Sequence, residues 1–398
     1  MSEKREFDVL VVGGGVIGLS CAWRLAQRGA RVAVLERGEP GAGATRVAAG
    51  MLAPVGELTF GEPELLELTL AAAKLYPEFV AELAAATGES SGYEQLGALH
   101  IALDRDEAAQ LRRVHDLQRS LELEAEWLPP RRCRDLEPGL TPSFHGGVFA
   151  AGEAAVDPRA LTGALVAACL AEGVEVRSGT EVVDGIFADG RLLGVRTTSR
   201  RSDTSEVPDH RLGEEVRATA VVLAAGAWSG STAWLPEEAR PPVRPVKGQV
   251  IELRSRNAEP VARHILASER VYLVPRNDGR LVIGATVEEM GYDTAVTAGG
   301  VHELLREAYR LLPDVAEMEW VGATAGLRPG TPNNLPLVGH GAIEGLVLAT
   351  GHFRNGILLA PLAAQAIADL VASPDPKWRS SFIPSAENKG RTPEGVGR

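Results

Sequence analysis

The chain is poor in cysteine, and this excludes several ways of stabilising a fold or building a site. Its 398 residues contain three cysteines, at Cys21, Cys133 and Cys169. The count is odd, the spacings are wide and no C-x-x-C pair occurs, so we expect neither a disulfide framework nor a zinc site. The histidines have no metal-ligand spacing either, so we expect no metal centre. Few, unpaired thiols are typical of a reducing compartment, and we expect a cytoplasmic protein.

Basic runs and long apolar runs are also missing. The formal net charge is −12, and no Lys/Arg-rich run opposes it. Nucleic acid and anionic membrane surfaces are therefore poor partners. The longest apolar segment is GILLAPLAAQAIADLVA, which a proline and two polar residues interrupt, so it is too short and too polar to span a bilayer. The first residues, MSEKREFDVLVVGGG, do not resemble a signal peptide, because their apolar run leads directly into glycines.

The first recognisable unit is a strand, a glycine-rich turn, a helix and a second strand. FDVLVV is a continuous apolar run, typical of a strand buried on both faces. A helical pattern follows and ends at Gly29, and ARVAVLE is a second buried strand. Gly13, Gly15 and Gly18 form G-x-G-x-x-G, and Glu36 ends the second strand. Glycines at these positions allow close approach to a pyrophosphate, and the carboxylate can accept both ribose hydroxyls, so the unit predicts dinucleotide binding.

Three later segments favour FAD over NAD as that dinucleotide. They are GATRVAAGM, which can line the pyrophosphate and flavin, and two further strand-to-glycine turns, VVLAAGAW and LVLATGHFRNG. The last opens a helix at Gly356, and a helix N-terminus carries about half a positive charge. Aimed at the flavin pyrimidine edge, that charge would stabilise the reduced ring. Arg354 at the same helix start can then hold a substrate beside the ring, and the alternative is a solvated loop cation.

Arg328 in GLRPG and Tyr272 in VYLVPR are candidates for binding a substrate carboxylate. A planar guanidinium can pair with a carboxylate through two hydrogen bonds, which sets orientation as well as charge. A phenol can share the same carboxylate. The alternatives are a structural salt bridge for Arg328 and half-buried strand packing for Tyr272.

Nucleotide-type α/β pieces occur at the start, in the middle and at the end of the chain, interrupted by two β-rich insertions. VDPRALTGALVAACLAEG predicts a helix with Asp157 as N-cap and Pro158 at its first position. RVYLVPRNDGRLVIGAT predicts two strands joined by a hairpin at Asp278 and Gly279. The expected fold class is α/β, a Rossmann-like FAD-binding domain of the glutathione-reductase type with an interleaved antiparallel β-rich substrate domain.

These pieces predict domains that are discontinuous in the chain. We expect the FAD-binding domain over 1–90, 145–226 and 325–372. The substrate-binding domain is expected over 91–144 and 227–324, and a partly disordered C-terminal tail over 373–398. The polar segment RRSDTSEVPDHRLGEE, residues 200–215, is expected to be an exposed hairpin or loop.

Over about residues 7–372 the chain resembles the glycine oxidase branch of the D-amino-acid oxidase-like FAD-dependent oxidoreductases, which is linked to thiamine thiazole synthesis. The matching segments are VVGGGVIGLS, AAGML, PVKGQ, YLVPRNDGRLVIGAT, AGLRPGT and GHFRNGILLAP. The resemblance implies that Arg328 and Tyr272 bind the substrate carboxylate, and that Arg354 lies beside flavin and substrate. It also implies FAD contacts at Val16, Ile17, Glu36, Arg37, Ala44, Thr45, Ala49, Gly50, Met51, Val182, His352, Phe353, Arg354, Asn355, Gly356, Ile357 and Leu358.

The resemblance also predicts how the cofactor is held and what pocket surrounds the substrate. Related sarcosine oxidases tether flavin through a cysteine late in the chain, and this chain has none after Cys169, so the FAD is expected to be non-covalent. Glycine oxidases can carry a histidine where this chain has Arg270 and a methionine where it has Val287. Both positions are expected near the pocket, and a smaller Val287 would admit substrates larger than glycine.

The implied activity is FAD-dependent oxidative deamination of glycine, sarcosine and small D-amino acids. Its products are the 2-oxo acid, ammonia and hydrogen peroxide, with molecular oxygen as the electron acceptor. Relatives are tetramers, so a homotetramer is expected. One alternative is a D-amino-acid or N-methyl-amino-acid dehydrogenase that passes electrons to another acceptor. A second is a flavin-binding scaffold or sensor without turnover.

Overall fold

The computed structural model of the chain describes residues 7–199 and 213–372. Most of the loop predicted over 200–215 lies outside these residues, and so does the tail predicted over 373–398. The described residues form two eight-stranded sheets, the helices that flank them, and a two-stranded sheet. Across 7–199 and 213–372, no helix combines the length and apolarity that a membrane crossing requires.

Helices surround both large sheets. The α-helices of the described residues are α1 (Val16–Gln27), α2 (Ala44–Val47), α3 (Pro63–Thr87), α4 (Arg105–Ser120), α5 (Pro130–Leu136), α6 (Pro158–Ala171), α7 (Ala298–Leu311) and α8 (Gly356–Ala372). Short 3-10 helices cover Gly226–Ser231, Glu237–Ala239 and Pro313–Glu317.

Groups of consecutive strands belong in turn to one large sheet and then to the other. The strands are β1 (Phe7–Val12), β2 (Val32–Leu35), β3 (Met51–Leu52), β4 (Ala98–Ile101), β5 (Glu126–Leu128), β6 (Gly147–Ala150), β7 (Ala154–Ala155), β8 (Glu175–Arg177), β9 (Thr180–Ala188), β10 (Arg191–Ser199), β11 (Glu214–Leu223), β12 (Arg244–Arg254), β13 (Ile265–Ala267), β14 (Tyr272–Pro275), β15 (Arg280–Gly284), β16 (Glu319–Gly330), β17 (Leu337–His340) and β18 (Leu346–Thr350).

The first sheet has the parallel core that the sequence predicts. Strands β8, β2, β1, β11 and β18 are parallel neighbours in that order, and β17 adds an antiparallel edge. Strands β9 and β10 extend β11 in an antiparallel meander. β2 is buried along its whole length, as expected for a strand covered on both faces. Because parallel strands end at the same edge, the loops after β1, β2, β11 and β18 meet there.

Local sequence signals set the ends of two helices where we predicted them. The Asp157 carboxylate accepts the Arg159 N–H at 2.9 Å, and Pro158 occupies the first position of α6. Gly29 follows α1 with φ of +84°, a left-handed conformation that favours glycine. α1 and α6 contact each other in the core, and α1 also contacts α8. The predicted caps are therefore confirmed.

The second sheet is mostly antiparallel and presents one face to the cavity described below. Its order is β16, β12, β15, β14, β13, β4, β6, β5, and only the β13–β4 pair is parallel. β14 and β15 form the predicted hairpin, and Gly279 in its turn has φ of +80°. β12 and β16 form a long ladder in which Val246 is opposite Arg328.

Sheet membership differs from the predicted domain bounds at two places. β6 lies within the predicted FAD-binding segment 145–226, yet it pairs with β4 and β5 of the second sheet. β16 crosses the predicted boundary at 325 and stays paired with β12 as far as Gly330. A strand belongs to the sheet whose hydrogen bonds it completes, so a division by sheet would move these bounds to Ala150 and Gly330. The division into a cofactor domain and a substrate domain stays a prediction.

Candidate active site

A cavity of about 720 Å³ lies between the two large sheets. Its walls reach from the loops after β1 and β2, at Gly13 and Glu36, to Tyr272 on β14 and Arg328 on β16. This volume lies in the range of small-molecule and cofactor sites. Within the described ranges, no group of three His, Cys, Asp or Glu side chains is arranged to hold a metal ion.

The glycine motif shapes one end of the cavity. Gly13 has φ of +112°, and a Cβ added there would lie 2.4 Å from the Ala224 carbonyl oxygen. A Cβ on Gly18 would lie 1.9 Å from the Gly13 carbonyl oxygen, so α1 approaches β1 closely only because this residue is glycine. Gly15 precedes α1 without a side-chain cap. The Val16 N–H donates to Thr45 Oγ1 at 3.1 Å, and the start of α1 lines the cavity, where a helix N-terminus suits a pyrophosphate.

Glu36 and Arg37 lie beside the glycine motif and are held in place by contacts. The Glu36 carboxylate accepts the Gly14 N–H at 2.7 Å and the Gly38 N–H at 2.8 Å. The Arg37 guanidinium carbon lies 4.0 Å from the centroid of the Trp228 ring, a cation–π contact. Trp228 lines the cavity and was not predicted, although it follows the predicted strand-to-glycine turn at Gly226.

Arg328 and Tyr272 lie together at the other end of the cavity. Arg328 Nη1 donates to the Thr286 carbonyl at 3.0 Å and to the Lys247 carbonyl at 3.3 Å. The charge of its guanidinium also lowers the pKa of the neighbouring Tyr272 phenol, although burial has the larger effect. Burial raises the pKa of Tyr272 to about 12, so the phenol keeps its proton and can donate it in a hydrogen bond. The pair offers several N–H and O–H donors to an anionic ligand.

Two glycines make room for these side chains. A Cβ added to Gly248 on β12 would lie 2.3 Å from Arg328 Nη1. A Cβ added to Gly284 on β15 would lie 2.3 Å from the Tyr272 hydroxyl oxygen, and these two residues are direct partners in the ladder. The guanidinium and the phenol therefore lie flat on the backbone of neighbouring strands.

The start of α8 brings Arg354 to the same cavity. The Phe353 N–H donates to the Pro329 carbonyl at 3.0 Å, which ties the loop before α8 to the end of β16. Phe353 has φ of +44°, and the Arg354 guanidinium carbon lies 5.6 Å from the centroid of its ring. Arg354 makes no hydrogen bond or ion pair to any residue of 7–199 or 213–372. Its charge, and the N-terminus of α8 at Gly356, are available to a ligand.

His352 contributes a buried neutral group to the cavity wall. Burial lowers its pKa to about 3, because the imidazolium would lose its hydration. Its Nε2 has no hydrogen-bond partner among the described residues, although the residue is only 2% exposed. A buried unsatisfied nitrogen on the wall of a cavity indicates that a ligand supplies the partner.

Glu57 is a cavity residue that sequence reasoning missed. It follows β3 in the segment VGELTF, and it lies close enough to Arg328 and Arg354 for both to lower its pKa. Burial outweighs them, so the pKa of Glu57 is raised above its ordinary value. No sequence signal distinguishes it from the other glutamates of this region.

Most of the residues predicted as site residues line the cavity. They are Gly13, Gly15, Val16, Ile17, Glu36, Arg37, Ala44, Thr45, Ala49, Gly50, Met51, Val182, Tyr272, Arg328, His352, Phe353, Arg354, Gly356 and Ile357. Gly18, Asn355 and Leu358 are not on its wall. Gly18 packs against Gly13, Asn355 is buried before α8, and Leu358 belongs to the apolar core.

The two positions at which the sequence departs from the glycine oxidase pattern do not line the cavity. Arg270 lies in a surface depression among charged residues that include Glu107 and Arg310. Val287 is 64% exposed and is absent from the cavity wall. Arg270 is exposed in the connection before β14, whereas the neighbouring Val271 is buried in the core. The expected effect of Val287 on substrate size is therefore not supported by its position.

Comparison with known proteins agrees with this geometry. The family model described as FAD dependent oxidoreductase (DAO) matches residues 8–370. Glycine oxidase of Geobacillus kaustophilus is 36% identical over 92% of this chain and 93% of its own. The bifunctional protein ThiO/ThiG of Trichormus variabilis is 36% identical over 92% of this chain and 52% of its own. The crystal structure of glycine oxidase from Geobacillus kaustophilus superposes with a TM-score of 0.83, at 34% identity, over 92% of this chain and 95% of that one.

We expect Glu36→Ala to weaken FAD binding, because the carboxylate predicted to accept the ribose hydroxyls is lost. The Kd for FAD should rise about 10- to 100-fold, the equivalent of one or two charge-assisted hydrogen bonds. The measurement is a fluorescence titration of the apoprotein with FAD. Glu39→Ala, an exposed glutamate in the same loop, is the control and should bind FAD like the unmodified chain. Equal Kd values for all three proteins would contradict the assignment of Glu36 as a ligand of the FAD ribose.

Proposed function

The chain belongs to the DAO family of FAD-dependent oxidoreductases, and we propose that it is an oxidase that deaminates glycine and related small amines. Sarcosine and small D-amino acids complete the proposed substrate class. Glycine, water and oxygen would give glyoxylate, ammonia and hydrogen peroxide. The observation that carries the proposal is the convergence of Arg328, Tyr272 and Arg354 at one end of a cavity whose other end has the dinucleotide-binding features.

The residues of the cavity fit FAD. The start of α1 and Gly13 would hold the pyrophosphate, Glu36 the ribose hydroxyls, and the start of α8 the pyrimidine edge of the ring. The unsatisfied Nε2 of His352 indicates a polar partner from the same ligand. When bound, FAD supplies the acceptor for the hydride and returns the electrons to oxygen. Residues 7–199 and 213–372 hold no cysteine beside the cavity, and we propose non-covalent binding.

The protein's own contribution is to bind and orient the amino acid. Arg328 Nη1 is already held by two carbonyl groups, so its guanidinium has one orientation before the substrate arrives. The remaining donors of Arg328 and the Tyr272 hydroxyl would bind the substrate carboxylate. Positioning of this kind lowers the entropic part of the barrier, which suits a reaction in which a hydride passes to a cofactor.

We also propose a biological context and an assembly for the enzyme. Its product would serve thiamine thiazole synthesis, and the match to a bifunctional ThiO/ThiG protein supports this role. A homotetramer remains the expected assembly.

Anaerobic bleaching of the flavin across a panel of glycine, sarcosine, D-alanine and D-proline tests the activity. We expect bleaching with glycine, and oxygen consumption with hydrogen peroxide release when air is admitted. Bleaching without oxygen consumption would favour the dehydrogenase that uses another acceptor. A yellow protein that no amine bleaches would contradict enzymatic turnover altogether.

Arg328→Ala should lower kcat/KM for glycine, because the substrate carboxylate would lose its ionic partner in a partly enclosed site. The expected loss is about 2–5 kcal/mol in transition-state binding. Steady-state oxygen uptake measures it, and flavin content should be unchanged. Arg256→Ala, an exposed arginine on the same sheet's periphery, is the control. An unchanged kcat/KM in Arg328→Ala would rule out binding of the substrate carboxylate by Arg328, the interaction called the carboxylate clamp below.

Gly248→Ala tests the carboxylate clamp without removing Arg328. The added methyl group would displace the Arg328 guanidinium, since a Cβ at this position would lie 2.3 Å from Nη1. We expect KM for glycine to rise about 10- to 100-fold, consistent with an overpacking cost of about 1–3 kcal/mol. Gly322→Ala on β16, where an added Cβ meets nothing within 4 Å, is the matched control. Identical KM values in the two variants would show that glycine binding does not depend on the Arg328 guanidinium lying against Gly248.

A further inference from the structure

The substrate end of the cavity has a carboxylate, Glu57, near its cationic groups. Glu57 shares the substrate end with Arg328, Arg354 and Tyr272, and each of these groups interacts with it electrostatically. Its carboxylate accepts no hydrogen bond from any residue of 7–199 or 213–372, so both oxygens are available to a ligand in the cavity. The ends of a zwitterionic amino acid would therefore meet opposite charges, the carboxylate at the arginines and the ammonium at Glu57.

A second buried carboxyl group holds the segment that carries Glu57. Glu153, which precedes β7, accepts the Val55 N–H at 3.1 Å and also the Gly56 N–H. On the other side of this segment, Gln118 Nε2 of α4 donates to the Val55 carbonyl at 3.0 Å. Glu153 is only 1% exposed, so this anchor is built into the core. Glu57 is thus placed by contacts on both sides of the residues before it.

Burial raises the pKa of both carboxyls, and Arg328 and Arg354 oppose that increase at Glu57 but not at Glu153. Burial raises the pKa of Glu153 to about 8, and the nearby charge of Glu57 adds to the increase, so Glu153 is largely neutral at pH 7. A Cβ added to Gly56 would lie 2.3 Å from His100 Nε2 and 2.9 Å from Glu153 Oε2, so the imidazole lies on the same side. Burial lowers the pKa of His100 to about 4, so this imidazole is neutral as well.

We propose that Glu57, positioned by Glu153, accepts the proton that the substrate ammonium must lose before hydride transfer. This inference rests on the proposed function and names the group that prepares the amine. In this step one ammonium N–H bond breaks and one carboxyl O–H bond forms, without change in oxidation state. Arg328 and Arg354 favour the transfer, because two cations near the amine disfavour its ammonium form.

The pH dependence of flavin bleaching by glycine tests the proposal. The unmodified enzyme binds the zwitterion and should reach its maximal kcat/KM well below the pKa of the free amino group. Glu57→Gln must instead select the neutral amine already present in solution. We expect its kcat/KM to fall about 100-fold or more at pH 7. The ratio of kcat/KM of the unmodified enzyme to that of Glu57→Gln should then fall about tenfold per pH unit as the pH rises toward the pKa of the amine.

Acetate, which has the carboxylate but no amine, separates this role from the carboxylate clamp. Its Kd, measured by perturbation of the flavin spectrum, should be unchanged or lower in Glu57→Gln and higher in Arg328→Ala. Glu153→Gln keeps an acceptor for the Val55 and Gly56 N–H groups and should stay near the unmodified enzyme. Glu153→Ala removes the acceptor that holds Val55 and Gly56. Its kcat/KM should depend on pH as that of Glu57→Gln does, with a smaller loss at pH 7.

The control is Glu67→Gln, an exposed carboxylate on α3, which should behave like the unmodified enzyme. Parallel pH profiles for Glu57→Gln and the unmodified enzyme, with flavin content and thermal stability preserved, would overturn the proposal. Failure of the unmodified enzyme to bleach with any amine would instead overturn the proposed function, so the two failures are distinguishable.

Discussion

A backbone hydrogen bond between two distant segments places both arginines at one end of the cavity. The Phe353 N–H donates to the Pro329 carbonyl at 3.0 Å. Arg328 directly precedes Pro329, and Arg354 directly follows Phe353, so this contact brings together the end of β16 and the start of α8. Arg328 comes from the second sheet, and the N-terminus of α8 follows β18 of the first sheet. The site therefore exists only where the two sheets meet.

The cavity combines close backbone approach with a local reversal of charge. Gly248 and Gly284 let the Arg328 and Tyr272 side chains lie on neighbouring strands, as Gly13 and Gly18 let α1 approach β1. The whole chain carries a formal charge of −12, yet the substrate end of the cavity contains two guanidinium groups and one carboxylate that a substrate can reach. Electrostatic attraction for an amino-acid carboxylate is therefore a property of this end and not of the protein as a whole.

Much of the cofactor part of the site could be predicted, and less of the substrate part. The G-x-G-x-x-G turn, Glu36 and the start of α8 act through local backbone geometry, and local geometry leaves a motif in the sequence. Glu57 and Glu153 leave none, because their roles depend on burial and on partners from other strands and helices. Arg270 and Val287 show the reverse error, since the resemblance implied a place near the pocket and neither lines the cavity wall.

From sequence alone, the parallel strand–helix units, the cap at Asp157, the turn at Gly279 and the dinucleotide motif were already specified. Each depends on the conformational preferences of a few consecutive residues. The register of β12 against β16, the burial of Glu153 and the meeting of Arg328 with Arg354 arose only from the assembled fold. These contacts join segments far apart in the chain, and their energies depend on packing and desolvation, which no local pattern encodes.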